Sequence, residues 1–152
     1  MFENHPEDVK GWLDKFPLIN YLQDEQLTLY FDGPNGDMPE NNIRIYGSPW
    51  QPWFYDWAFN LHRNSIGLAS KWEAIPNNTD ILITHSPPFG ILDEVNHNSK
   101  HFGSPSLADA VMNRLKCKIS TFGHIHSGHG TKKVDNTLFI NANWLFRIYK
   151  FV

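Results

Sequence analysis

Cysteine is almost absent from this 152-residue chain. Cys117 stands alone, so no disulfide can close within the chain, and a reducing, cytoplasmic setting is the expectation. Long apolar runs are missing as well. No stretch approaches the roughly 20 consecutive apolar residues that a membrane-spanning helix needs, and no charged segment followed by an apolar one opens the chain as a secretory leader would. A membrane partner is therefore not expected. Positive charge is sparse, with 13 Lys and Arg against 16 Asp and Glu and no basic run longer than Lys132-Lys133. Such a chain has no field to draw in a phosphate backbone, which argues against general nucleic-acid binding.

Aromatic side chains, by contrast, are plentiful. Eleven Phe and six Trp contribute to a composition that is 41% hydrophobic and 14% aromatic, far from the polar, highly charged signature of disorder. The length suits one domain, residues 1–152, burying about two thirds of the surface its unfolded form exposes. No internal repeat, low-complexity tract or linker divides it.

Val9, Trp12, Leu13, Phe16 and Ile19 recur at helical spacing between Glu7 and Tyr21, and Pro17 predicts a helix ending near Lys15. Leu27 to Phe31 and Ile43 to Tyr46 read as strands around a turn-rich stretch from Asp32 to Asn42. Pro49 and Pro52 then break regular structure where Trp50, Trp53, Phe54 and Trp57 crowd together. That cluster reads either as a cover for a sheet edge or as a wall of a ligand cleft. Asp80 to Thr84 is a short apolar run stopped by Ser86-Pro87-Pro88, the pattern of a buried strand emptying into a rigid loop. Ser104-Pro105 followed by Leu107, Ala108, Val111, Met112 and Leu115 has a Ser cap, Pro at the first helical position and an apolar face of 3.6 period. Cys117 to Phe122, Thr137 to Asn141 and Phe146 to Phe151 complete the order as strands. The fold class is α/β.

Histidine is where the chemistry concentrates. His85 follows one predicted strand, and Gly123-His124-Ile125-His126 follows another. Strand ends are rigid supports from which an α/β domain presents side chains to a ligand. On extended backbone, residues two apart share a side, so His124 and His126 would face one way with Ile125 turned into the core. Gly123 would leave room for a close approach. Neutral imidazoles are good ligands for zinc, manganese, iron or nickel. His5, His62, His97, His101 and His129 lack this context, although His97 to His101 could form a rim.

The combination of ILITHSPP (Ile81 to Pro88), FGHIHSGHG (Phe122 to Gly130) and FINAN (Phe139 to Asn143) resembles the last metal-binding blocks of the calcineurin-like metallophosphoesterases. IRIYGSPWQPW, from Ile43 to Trp53, is similar to the aromatic, proline-rich stretch of the MPPED-like (UPF0046) subfamily. The resemblance implies part of a β-sandwich flanked by helices, lacking the N-terminal strands. It implies His85 and His124 on a second metal and His126 on a first. Asn4-His5 stands where the family has Gly-Asn-His, which would make Asn4 an amide-oxygen ligand and His5 the catalytic group that helps the leaving oxygen depart. Trp50 and Trp53 would touch substrate. The implied cofactor is a divalent Mn, Zn or Fe, as one or two ions, and the implied substrate is a small phosphoester, a cyclic nucleotide first among them.

Two blocks of the family pattern, Asp-x-His and the Gly-Asp whose carboxylate bridges both metals, have no counterpart ahead of Asn4-His5, and Gly36-Asp37 falls out of order. Two cations about 3.5–4 Å apart repel unless an anion lies between them, so one more weakly held ion, or one shared at an interface, is the expectation for the chain by itself. The absent strands should also leave apolar edges such as Asp80 to Thr84 unpaired or uncovered, to be met by an N-terminal segment or by a second copy in a homo-oligomer. The readings that remain are a phosphodiesterase completed by something further, a catalytically silent binding module, and a simple zinc module. The last lacks any Cys-x-x-Cys pair.

Overall fold

The computed structural model describes residues 11–13, 15–31, 42–95 and 100–143. Its centre is a six-stranded sheet. Strand β1 (Glu25–Tyr30) forms one edge. Across the sheet from it come β2 (Asn42–Ser48), β5 (Ile81–Thr84), β6 (Ile119–Phe122), β8 (Thr137–Asn141) and, at the far edge, β7 (Gly130–Val134). The four inner strands are parallel, and each edge strand is antiparallel to its neighbour. A separate two-stranded pair, β3 (Gln51–Pro52) and β4 (Asn60–Leu61), carries the aromatic segment.

Two helices cover one face of the large sheet. Helix α1 (Ile66–Glu73) begins at Ser65, whose hydroxyl accepts from Leu68 N at 3.1 Å, and buries Leu68 and Trp72 four residues apart. Its C-terminal end is met from outside: the Arg114 guanidinium donates to Trp72 O at 2.6 Å and, just past the helix, to Ile75 O at 2.8 Å. Helix α2 (Pro105–Asp109) starts at the expected Ser104 cap with Pro at its first position. It does not continue as an α-helix to Leu115. Ala110 to Arg114 widens into a π-turn closed by Leu115 N on Ala110 O at 2.8 Å.

Both helices pack into one core with Tyr46, Leu82, Phe122 and Phe139 of the sheet. Right-handed crossovers between parallel strands place successive helices on the same side in this way. Trp72 sits at the centre, 1% exposed, with its indole N–H on Ser104 Oγ at 3.0 Å. That bond ties the first helix to the cap of the second. On the opposite face Ile43, Ile45, Ile81, Ile119, Leu138 and Ile140 are only half-buried, and Ile83 is 42% exposed.

The expectation of an unpaired edge at Asp80 to Thr84 is corrected here: β5 is hydrogen-bonded on both sides, to β2 and β6. Its open face, not its edge, is what remains uncovered. The strand expected at Phe146 to Phe151 lies wholly, and the Asp32 to Asn42 turn almost wholly, outside the described residues; of the helix expected to end near Lys15, residues 11–13 are described and are helical, and turns follow from residue 15. No helix among the described residues is long and apolar enough to cross a membrane.

Candidate metal centre and aromatic wall

Because β2, β5, β6 and β8 are parallel, their carboxyl ends lie along one side of the sheet, where α/β folds gather ligands. The ladder runs on past the strands. His85 N donates to Ser48 O at 3.3 Å, Gly123 N to His85 O at 3.1 Å and Ala142 N to Phe122 O at 2.8 Å. His85, the Gly123 to His126 loop and Asn143 are therefore mounted on hydrogen-bonded extensions of the core. They border a wide-mouthed cavity of about 940 Å³, with Phe54 and Trp57 on its wall.

Within it, His85 Nε2 and His124 Nδ1 lie 3.2 Å apart, their rings 4.9 Å between centroids. Burial lowers the His85 pKa. Burial first, and then the positive charges that His85 and His126 would carry, push His124 down to about 4. At neutral pH both rings are uncharged and keep a lone pair. Two imidazole nitrogens sharing one ion at the usual metal–nitrogen length of about 2.0–2.1 Å stand roughly 3.0–3.4 Å apart, depending on coordination geometry. The observed separation of the pair lies within that range. His126 borders the same cavity from a 3-10 turn, His126–Gly128. Among the described residues no three metal-ligating side chains converge tightly enough to hold an ion by themselves. The fit to a divalent metal is that of a two-imidazole half-site.

The loop differs from its expected shape. His124 takes a left-handed backbone, φ 66°, and His126 enters the turn, so the two rings are not set side by side by strand alternation. Ile125 does turn into the core, 6% exposed. Gly123 has ordinary space, since a Cβ there would meet nothing nearer than Asn143 Nδ2 at 3.9 Å. Within this loop the crowded glycine is Gly128, where a Cβ would overlap Leu92 O.

The aromatic segment divides its labour. The Trp50 indole donates to Asp24 Oδ2 at 2.8 Å, and Trp53 stacks on His62 with ring centroids 5.5 Å apart. Neither lines the histidine cavity; Phe54 and Trp57 do. Phe54 meets His124 edge-on at 4.9 Å and Trp57 at 5.3 Å. Their loop is pinned by Asn60, which accepts from Phe54 N at 3.2 Å and donates to Phe54 O and Tyr55 O at 3.3 and 3.0 Å. Of the remaining histidines, His101 Nδ1 is 2.6 Å from Asp93 Oδ1, a fully buried carboxylate that also accepts from Gly103 N. Asn4, His5, Gly36, Asp37 and His97 lie outside the described residues.

A parallel-centred sheet with imidazoles at its carboxyl edge is an α/β protein with a ligand site at its strand ends, and comparison with known proteins gives the family. A family model described as calcineurin-like phosphoesterase matches residues 2–128. The human metallophosphoesterase domain-containing protein 1 is 43% identical over 138 residues, covering 91% of this chain and 39% of that protein. The UPF0046 protein T07D4.2 of Caenorhabditis elegans is 39% identical over 138 residues, 89% of this chain and 32% of that protein. A crystal structure superposes with a TM-score of 0.57 at 19% identity, across 90% of this chain and 50% of that one, a likeness of fold. The chain belongs to the calcineurin-like metallophosphoesterases. It spans about two fifths or less of the length of these curated relatives.

Proposed function

We propose that this chain contributes to metal-dependent phosphoester hydrolysis, with small phosphodiesters, cyclic nucleotides among them, as its substrates. The observation that carries the reading is the uncharged His85–His124 pair, 3.2 Å apart at the strand ends and bordered by an aromatic wall. Such a pair, with His126 beside it, would hold one divalent ion such as Mn, Zn or Fe. Lewis acidity toward phosphoryl oxygens, and a lowered pKa for water, are what that ion supplies when bound. The chain's own groups would do the rest. Phe54 and Trp57 offer apolar ring surface on which a nucleobase can stack, and the rigid strand ends hold the imidazoles without reorganisation. His5, with Asn4, is proposed as the group assisting the leaving oxygen.

The test is release of p-nitrophenolate from bis-p-nitrophenyl phosphate with added manganese, for the chain and for His124→Ala. Manganese-dependent turnover that falls to background in the variant is expected. No turnover at millimolar manganese, or equal turnover in the variant, would overturn the reading for this chain. A second reading is a module that binds but does not turn over substrate, favoured by the lack of a converging trio of ligands among the described residues. It predicts manganese binding without hydrolysis.

A further inference from the structure

The Gly123 to His126 loop owes its shape to a side chain that never reaches the cavity. Asn141 ends β8 with 0% exposure, and its side-chain amide is turned toward the site's supports. Its Nδ2 donates to Ile125 O at 2.9 Å and to Leu92 O at 3.0 Å, and its Oδ1 accepts from Asn143 N at 3.1 Å. One amide thus joins the histidine loop, the Leu92 turn and the Asn143 backbone.

What it grips is unusual backbone. His124 and Leu92 both hold left-handed conformations, φ 66° and 53°, which side-chain-bearing residues adopt only when their surroundings over-determine them. The two carbonyls that Asn141 holds belong to Leu92 itself and to the residue after His124. Ile125 O accepts a second bond from Gly128 N at 3.1 Å, closing the 3-10 turn that carries His126. Gly128 packs against the same group: a Cβ there would overlap Leu92 O and come within 3.0 Å of Asn141 Nδ2. Ser127 Oγ adds a parallel tie to Glu94 O at 2.8 Å.

We infer that Asn141 is the positioning residue of the histidine site, fixing through the Ile125 and Leu92 carbonyls the direction in which His124 and His126 present their rings. In its consequence for metal this rests on the proposed function; in its consequence for loop geometry it does not. No smaller or apolar residue can replace the amide, because two buried carbonyls and one backbone N–H would lose a partner together.

The experiment compares Asn141→Leu with Phe139→Leu, a truncation two positions earlier on the same strand at a fully buried site that does not bond the loop. Both variants should melt at lower temperature. Only Asn141→Leu should weaken manganese binding measured by isothermal titration, by about 10- to 100-fold, as for the partners that orient metal ligands. Only it should speed amide exchange at Gly128 by more than its melting shift accounts for. In the wild-type chain, where folding is not at issue, the Asn141 side-chain amide protons should exchange slowly. Wild-type affinity in Asn141→Leu, an equal loss in Phe139→Leu, or rapid exchange of the wild-type Asn141 amide would each overturn the inference. Wild-type protein that binds no manganese would sink the metal reading alone; the exchange rates at Gly128 and Asn141 would still decide the positioning role.

Discussion

Removing Asp24 should expose how much one carboxylate contributes to the wall behind the site. Oδ1 accepts from Ser48 Oγ at 2.7 Å, and Oδ2 from both Trp50 Nε1 and Lys71 Nζ at 2.8 Å, with Lys71 also 4.3 Å from the centre of the Trp50 ring. The carboxylate is 21% exposed and Lys71 32%, so each charged bond belongs at the low end of its range. Three such bonds at about 1.5 kcal/mol each, roughly halved by solvent screening, together with about 1 kcal/mol for placing alanine in a left-handed conformation, put Asp24→Ala at about 3 kcal/mol. For a chain of this size that lowers the melting temperature by about 6–12 °C.

Asp24→Asn makes a sharper test. Its amide oxygen can replace Oδ2 under Trp50 and Lys71, while its NH2 group donates to Ser48, whose hydroxyl is free to turn and accept. Asparagine also tolerates the positive φ of 57° at this position. Only the charge is lost, at about 1 kcal/mol. Urea unfolding followed by tryptophan fluorescence would measure both variants. Equal damage from the two, or an Asp24→Ala effect within about 0.5 kcal/mol of zero, would refute the reasoning. The pH dependence follows with a definite sign. Burial raises the Asp24 pKa, but the bonds from Lys71, Ser48 and Trp50 outweigh it and the carboxyl ends below its ordinary 3.8. Its stabilisation is therefore complete above that pH and is lost as acid protonates the folded form, and Asp24→Asn should remove this part of the acid dependence.

The core supports two further expectations. Trp72→Ala should cost about 3–5 kcal/mol in urea unfolding through the cavity it leaves, and Ser104→Ala about 1–2 kcal/mol, since the same hydroxyl caps α2 and receives the Trp72 indole. Cys117 is 1% exposed and burial pushes its thiol pKa up. At pH 8 it should react with a disulfide reagent no faster than the chain unfolds, and rapid labelling under native conditions would contradict that placement.

How much of this was legible in the sequence varied with the physics of each element. Strands β5, β6 and β8 are short apolar runs because neighbouring strands flank each of them, and α2 announces itself by Ser104-Pro105. Helix α1 went unread because its stripe is narrow: Leu68 and Trp72 are buried, whereas Ile66 at its start is 88% exposed. Strand β7 is an edge strand of sequence GTKKV, and nothing in its polar pattern marks it. At the site, spacing brought attention to His85, His124 and His126. It could not supply the left-handed turn at His124, which depends on Asn141, a residue sixteen positions downstream of the carbonyl it holds. Nor could spacing say which aromatics face the cavity. Tyr55 and Phe59 are both left-handed, φ 47° and 57°, so the loop between β3 and β4 follows no regular period.

The edge-on seating of Phe54 against His124 has a consequence for how anything enters. An imidazole boxed between a phenyl edge and the ring of His85 has little freedom to swivel about its own bonds. With Asn60 stapling the backbone on both sides of Phe54, a guest entering the wide mouth of the cavity meets a wall already held in place and must fit the gap as it stands.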